Sequence, residues 1–118
     1  MAEVTIYHNP RCSKSRQALA ELTDQGVGHE VVQYLKEPLD RDALTALLAI
    51  LEDEPSALVR RDPRFKELGL TASEVQTAEQ VVDVLAAHPE LMERPVLVKG
   101  DRAIIGRPTE RVTDFIAG

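Results

Sequence analysis

The chain has 118 residues, 43% hydrophobic and 29% charged, enough for one domain with a core and too few for two of ordinary size. Fourteen Lys and Arg stand against twenty Asp and Glu, a net charge of −6, so the surface as a whole repels nucleic acid and anionic membrane, and any anion site must be local. No run approaches the ~20 apolar residues of a membrane span, and Met1 to Asn9 lacks the basic start and apolar stretch of a secretion signal, so the expected compartment is the cytoplasm.

Val4 and Ile6 alternate with Thr5 and Tyr7 at the period of a strand, which His8, Asn9 and Pro10 break. From Ser13 to Gln25, good helix formers place Ala18, Leu19 and Leu22 on one stripe, and Gly26 and Gly28 stop the helix. Cys12 therefore stands at a helix N-terminus. His29 to Tyr34 reads as a second strand, completing a βαβ unit. Asp40 can cap a helix through Ala43, Leu44, Leu47, Leu48 and Leu51. Between Glu52 and Leu70, Pro55, Pro63 and Gly69 allow only short helical pieces, and Arg60, Arg61, Arg64 and Lys66 crowd the segment. Thr77 and Gln80 have capping-box spacing before a helix that His88 and Pro89 end. Pro95 leads into a strand at Val96 to Val98, Gly100 and Asp101 turn, Ala103 to Ile105 pair back, and Thr109 to Ala117 closes with a helix. This order predicts an α/β domain over 1–118: a thioredoxin-like sheet, βαβ plus ββα, with a helical insertion at about 39–90.

Cys12 is the one cysteine, so no internal disulfide is available. Its two uses are a buried small hydrophobe or a reactive thiol. An inert cysteine usually lies within an apolar run, whereas Cys12 lies between Arg11 and Ser13 at a helix start with His8, Lys14 and Arg16 nearby. The helix dipole, the free backbone N–H groups and positive neighbours all favour thiolate. CSKS in place of CxxC removes a resolving thiol, so an outside thiol must regenerate Cys12. An arginine four residues after the cysteine is too near for a tyrosine-phosphatase phosphate loop. No His, Cys, Asp and Glu cluster has metal spacing and no Gly-rich loop follows a strand, so neither a metal nor a nucleotide site is expected.

The segments YHNPRCSKSRQAL, VRRDPRFKELGL, HPELMERPVLV and IIGRPTERV span the chain in that order and resemble the glutaredoxin-coupled arsenate reductase family. The resemblance implies a thioredoxin-like fold with a helical insertion and reduction of arsenate to arsenite by one cysteine. It further implies no bound cofactor, glutathione as co-substrate, glutaredoxin as partner and a monomer. Carried over by position, it makes Cys12 the nucleophile, His8 the imidazole beside it, and Arg60, Arg94 and Arg107 the ligands of arsenate or a related oxyanion, with Ser15 and Pro95 shaping the site. Bidentate donors charged at every working pH suit such an anion, and arginine supplies them better than lysine. Pro95 sits where thioredoxin-like folds carry a cis-proline opposite the cysteine. Arg61 is adjacent to Arg60, which leaves open which of the two turns inward. Ser13 and Lys14 replace the Gly and Thr of the best-characterised branch. Arg102 and Arg111 match no site position and read as surface residues, as does His29 at a strand edge, while His88 at a helix end favours the C-terminal dipole.

Two other classes remain. Spx-type regulators, which bind RNA polymerase, share this fold and resemble the HPELMERPVLV region, but their sensing form carries CxxC. A glutathione-linked thiol transferase without arsenate specificity would use the same thiol.

Overall fold

Val4–Tyr7 form β1 and His29–Val32 form β2, paired in parallel with Ile6 opposite Val31, in a computed structural model that describes residues 3–117. The crossover between them is α1, Ser13–Asp24. On the other side of β1 lies antiparallel β3, Val96–Lys99, and β4, Arg102–Ile105, folds back on it. The sheet order is β2-β1-β3-β4, the thioredoxin-like arrangement the element order predicts.

Strand alternation divides the core in two. Val4, Ile6, Leu97 and Ile104 point to one face and bury against Ala18 and Leu22 of α1 and Val112 and Phe115 of α5, Glu110–Ala117. Val96, Ala103 and Ile105 point the other way, against Leu44, Leu47 and Leu48 of α2, Arg41–Ile50, and Val81 and Leu85 of α4, Ala78–Ala87. Each of these side chains is buried, so truncating a large one such as Leu97 to Ala costs about 2–5 kcal/mol.

The caps follow the sequence. Beyond the end of α1, Gly26 at φ 68° closes the turn, with Val27 N–H donating to Leu22 O at 3.0 Å and Gly26 N–H to Thr23 O at 3.1 Å, a closure that needs the left-handed conformation glycine adopts freely. Asp40 caps α2 through Ala43 N–H at 2.8 Å, and Thr77 with Gln80 forms the full capping box of α4.

The segment between α2 and α4 holds a 3₁₀ turn at Pro55–Leu58, α3 at Pro63–Glu67 and a second 3₁₀ turn at Ala72–Glu74; a third, Pro89–Leu91, follows α4. Two short pairings hold this segment, one to the chain that follows α4 and one to the sheet. Val59 bridges Met92, with Arg60 N–H donating to Leu91 O and Glu93 N–H to Leu58 O, both at 2.7 Å. Leu51 bridges Ala103, with Glu52 N–H donating to Ala103 O at 2.8 Å, so the outer edge of β4 is covered.

Four readings shift. β2 ends at Val32, because Lys36 and Glu37 N–H groups turn back onto Gln33 O and send Tyr34 into the core. α5 begins at Glu110 and α1 ends at Asp24. Arg111 is not a free surface residue: its Nη1 donates to Asp53 Oδ1 and to Ile105 O, each at 2.8 Å, while Asp53 Oδ2 accepts from Ile105 N–H at 2.9 Å. The last backbone groups of an edge strand need partners, and Asp53 and Arg111 provide them. Arg102 is exposed, pairs with Glu52 and stacks over the Phe115 ring. No described helix is long and apolar enough to cross a membrane.

Candidate active site

Cys12 is the N-cap of α1, with extended backbone at φ −95° and ψ 122° and a carbonyl that accepts from Arg16 N–H at 3.0 Å. The loop before it is tied down at several points: Cys12 N–H donates to Asn9 O, Arg11 N–H to Asn9 Oδ1, and Arg16 Nη1 to Pro10 O. The thiol makes no cap bond of its own as a neutral group. Burial pushes its pKa up, but the Ser15 N–H, the Arg94 guanidinium and the Lys14 N–H outweigh burial and hold the thiol below its ordinary value.

Ser15, in the first turn of α1, is fully buried. Its Oγ accepts from Asn9 N–H at 3.0 Å and lies 2.7 Å from His8 Nδ1. A hydroxyl carries one proton and two lone pairs, so Ser15 Oγ meets His8 Nδ1 as donor in one imidazole tautomer and as acceptor in the other. Burial, followed by the Arg16 charge, lowers the His8 pKa, which leaves the ring neutral at neutral pH. The bond His8 makes is to Ser15, so its influence on the thiol runs through the first turn of α1 rather than directly.

Arg94 precedes β3 and Arg107 follows β4, so the hairpin brings both to the helix end that carries Cys12. The Arg94–Pro95 peptide is cis, as the sequence position suggests, and Arg107–Pro108 is cis as well. Arg107 Nε donates to Arg94 O at 2.7 Å and its Nη2 to Cys12 Sγ at 3.3 Å. Arg94 lowers the Cys12 pKa by hydrogen bond and charge, and its buried Nε–H has no acceptor. A buried, unpaired guanidinium proton is costly unless an anion satisfies it.

Gly106 fixes the origin of Arg107. Its N–H donates to Pro95 O at 2.8 Å, and a Cβ there would stand 2.9 Å from Leu97 Cδ1 and 3.0 Å from Pro95 Cγ.

Arg60 is half-buried and Arg61 exposed, because the bridge between Val59 and Met92 turns Arg60 towards the cluster. The Arg60 guanidinium reaches it through a carboxylate: Nε lies 3.7 Å from Glu93 Oε1, which is also 3.4 Å from Arg107 Nε and accepts from Arg94 N–H at 3.3 Å. On its other side Arg60 Nη1 lies 3.8 Å from Asp62 Oδ2. Tyr34 forms the floor. Its phenol is buried, which raises its pKa against the opposing pull of Arg94, Asn9 and Arg60, and its hydroxyl points to Met92 O.

The structure thus gathers Cys12, Ser15, Arg94, Pro95 and Arg107 directly, with His8 behind Ser15 and Arg60 beyond Glu93. Glu93, Tyr34 and Gly106 were not singled out as site residues from sequence. Glu93 is visible there as a possible ion-pair partner of the arginines, as Asp62 and Glu110 are, and neither Tyr34 nor Gly106 carries a pattern that separates it from core or turn. A helix-capped thiolate under convergent guanidiniums can receive an oxyanion and stabilise charge that builds as sulfur attacks it. Among the described residues no group of three or more His, Cys, Asp or Glu is placed to hold a metal ion.

The ArsC family sequence profile matches residues 7–115. An uncharacterized protein of Escherichia coli strain K12, YfgD, is 41% identical over 97% of this chain and 97% of its own length. A Neisseria meningitidis protein named arsenate reductase is 39% identical over 95% of this chain and 97% of its own. The solved structure of an arsenate reductase from Vibrio cholerae superposes with a TM-score of 0.83 at 37% identity, covering 97% of this chain and 98% of that one.

Proposed function

The chain belongs to the ArsC family, and from that premise we propose that it is an arsenate reductase in which Cys12 is the nucleophile and Arg94, Arg107 and Arg60 hold the arsenate oxygens. The observation that carries the reading is the convergence on one sulfur: Arg107 Nη2 at 3.3 Å from Sγ, and Arg94 with a buried Nε–H that has no acceptor. An oxyanion seated there satisfies that proton and meets two forks with the thiolate beneath its central atom.

The Cys12 thiolate attacks arsenic(V), an As–O bond breaks, and water leaves after proton transfer, giving a thiol ester of arsenate. The guanidiniums stabilise the charge that accumulates on the remaining oxygens. Glutathione then attacks the Cys12 sulfur of the adduct. A Cys12–glutathione disulfide forms, the As–S electron pair stays with arsenic, and arsenic(III) leaves as arsenite. A second thiol, supplied by glutaredoxin, attacks the mixed disulfide and releases Cys12 as thiolate. Two thiols are oxidised to one disulfide for each arsenate reduced, and one water is formed. Ser15 and His8 position the turn whose N–H groups face the sulfur, and Pro95 sets the approach of Arg94. No bound cofactor is required by this cycle.

The test is arsenite formation by the purified protein with glutathione and glutaredoxin. Turnover is expected with both, and none with Cys12→Ser or with external thiol omitted, because the chain has no second cysteine to resolve the adduct. Reduction of a small mixed disulfide without reduction of arsenate would replace this reading with a general thiol transferase.

A further inference from the structure

We propose that Glu93 is a built-in counter-anion of the guanidinium cluster, competing with a bound oxyanion for Arg60 and Arg107 and so setting how loosely the site holds anions. The proposal rests on the oxyanion-site reading above. Glu93 is the acid placed among the arginines themselves: one oxygen, Oε1, lies 3.4 Å from Arg107 Nε and 3.7 Å from Arg60 Nε, and is held by Arg94 N–H at 3.3 Å. A carboxylate offers guanidinium the same paired-oxygen face that a tetrahedral oxyanion offers. An incoming oxyanion that recruits Arg60 must therefore share it with Glu93 or draw it away.

The local charges make the effect directional. Arg60, Arg94 and Arg107 face Glu93, Asp62 and the Cys12 thiolate, with His8 neutral, so the free site is close to balanced despite its three guanidiniums. Removing the Glu93 charge leaves a net cation. Asp62 is a different case, because its other oxygen caps α3 through Phe65 N–H, and it touches Arg60 alone among the three. A site tempered in this way holds an abundant inorganic anion weakly.

The experiment reads protection of Cys12 from iodoacetamide by inorganic phosphate, an oxyanion that fits the same donors and cannot be reduced by the thiol. Each variant is scored against its own unprotected rate at a pH where Cys12 is fully ionised. Glu93→Gln keeps the shape and the oxygen that accepts from Arg94 N–H while removing the charge, so the half-protecting phosphate concentration should fall by roughly three- to tenfold. Glu93→Asp keeps the charge and should stay within about twofold of the parent. An unchanged or higher concentration in Glu93→Gln overturns the proposal and makes Glu93 a residue that merely aligns the arginines. Equal tightening in Glu93→Gln and Glu93→Asp also overturns it, since shape rather than charge would then matter. If phosphate protects neither the parent nor Glu93→Gln, the oxyanion-site reading fails first and the proposal falls with it.

Discussion

At Cys12 the chemistry is decided by a contest between burial, which raises a thiol's pKa, and donors that favour thiolate. Ser15 N–H, Arg94 and Lys14 N–H win it, so the pKa lies below the ordinary value. A lowered pKa keeps the sulfur ionised to lower pH, so the alkylation rate of Cys12 should reach half its plateau below the ordinary thiol value of about 8.5. Arg94→Ala removes one of the lowering causes, and the half-point should move to higher pH. A profile centred at or above about 8.5 in the parent, or one unmoved in Arg94→Ala, would contradict the assignment. That Cys12 heads a helix could be read from the alternation of β1, the break at His8 to Pro10 and the helical stripe beyond. The His8 and Ser15 pairing could not, because it depends on how tightly the loop folds back onto the first turn.

The β3–β4 hairpin holds Arg94 and Arg107 at its two ends, so its register sets their separation. Gly106 is the point at which that register meets the core: its N–H is bonded to Pro95 O, and a Cβ there would stand 2.9–3.1 Å from Leu97, Pro95 and Val112 side-chain atoms, which would have to give way. Gly106→Ala should therefore cost about 1–3 kcal/mol in denaturant unfolding and shift the Cys12 alkylation profile upward as Arg107 is displaced. Unchanged stability and an unchanged profile would show that the hairpin tolerates the methyl. Strand, cap and turn signals from Pro95 to Ile105 made the hairpin readable in one dimension. The choice between Arg60 and Arg61 was not readable, because a bridge between Val59 and Met92, 33 positions apart, turns the chain there. Arg111 shows the same limit. Nothing near it in sequence marks Asp53 as its partner, yet that pair closes the edge of β4, and Arg111→Ala should lower stability by about 1–3 kcal/mol by leaving Asp53 Oδ1 and Ile105 O without the donor they share.

Across the whole molecule, a chain with a net charge of −6 concentrates three arginines at one helix end. Each comes from a different part of the fold: Arg60 from the helical segment between β2 and β3, Arg94 from the lead into β3, and Arg107 from the exit of β4. The element order and the alternation of each strand were enough to derive the sheet. The assembly of the site needed long-range pairings that no local pattern encodes. The most direct test of the account is the turnover efficiency for arsenate of the purified protein and its Arg107 variants, with glutathione and glutaredoxin in excess. Loss of one charge-assisted contact of roughly 1.5–3 kcal/mol predicts that Arg107→Ala falls by about one to two decades, with Arg107→Lys between it and the parent because lysine keeps the charge and loses the fork. Arg41→Ala, which removes an exposed ion pair with Asp83 on α4, serves as the reference and should stay near the parent. An Arg107→Ala protein that reduces arsenate as well as Arg41→Ala would contradict the account.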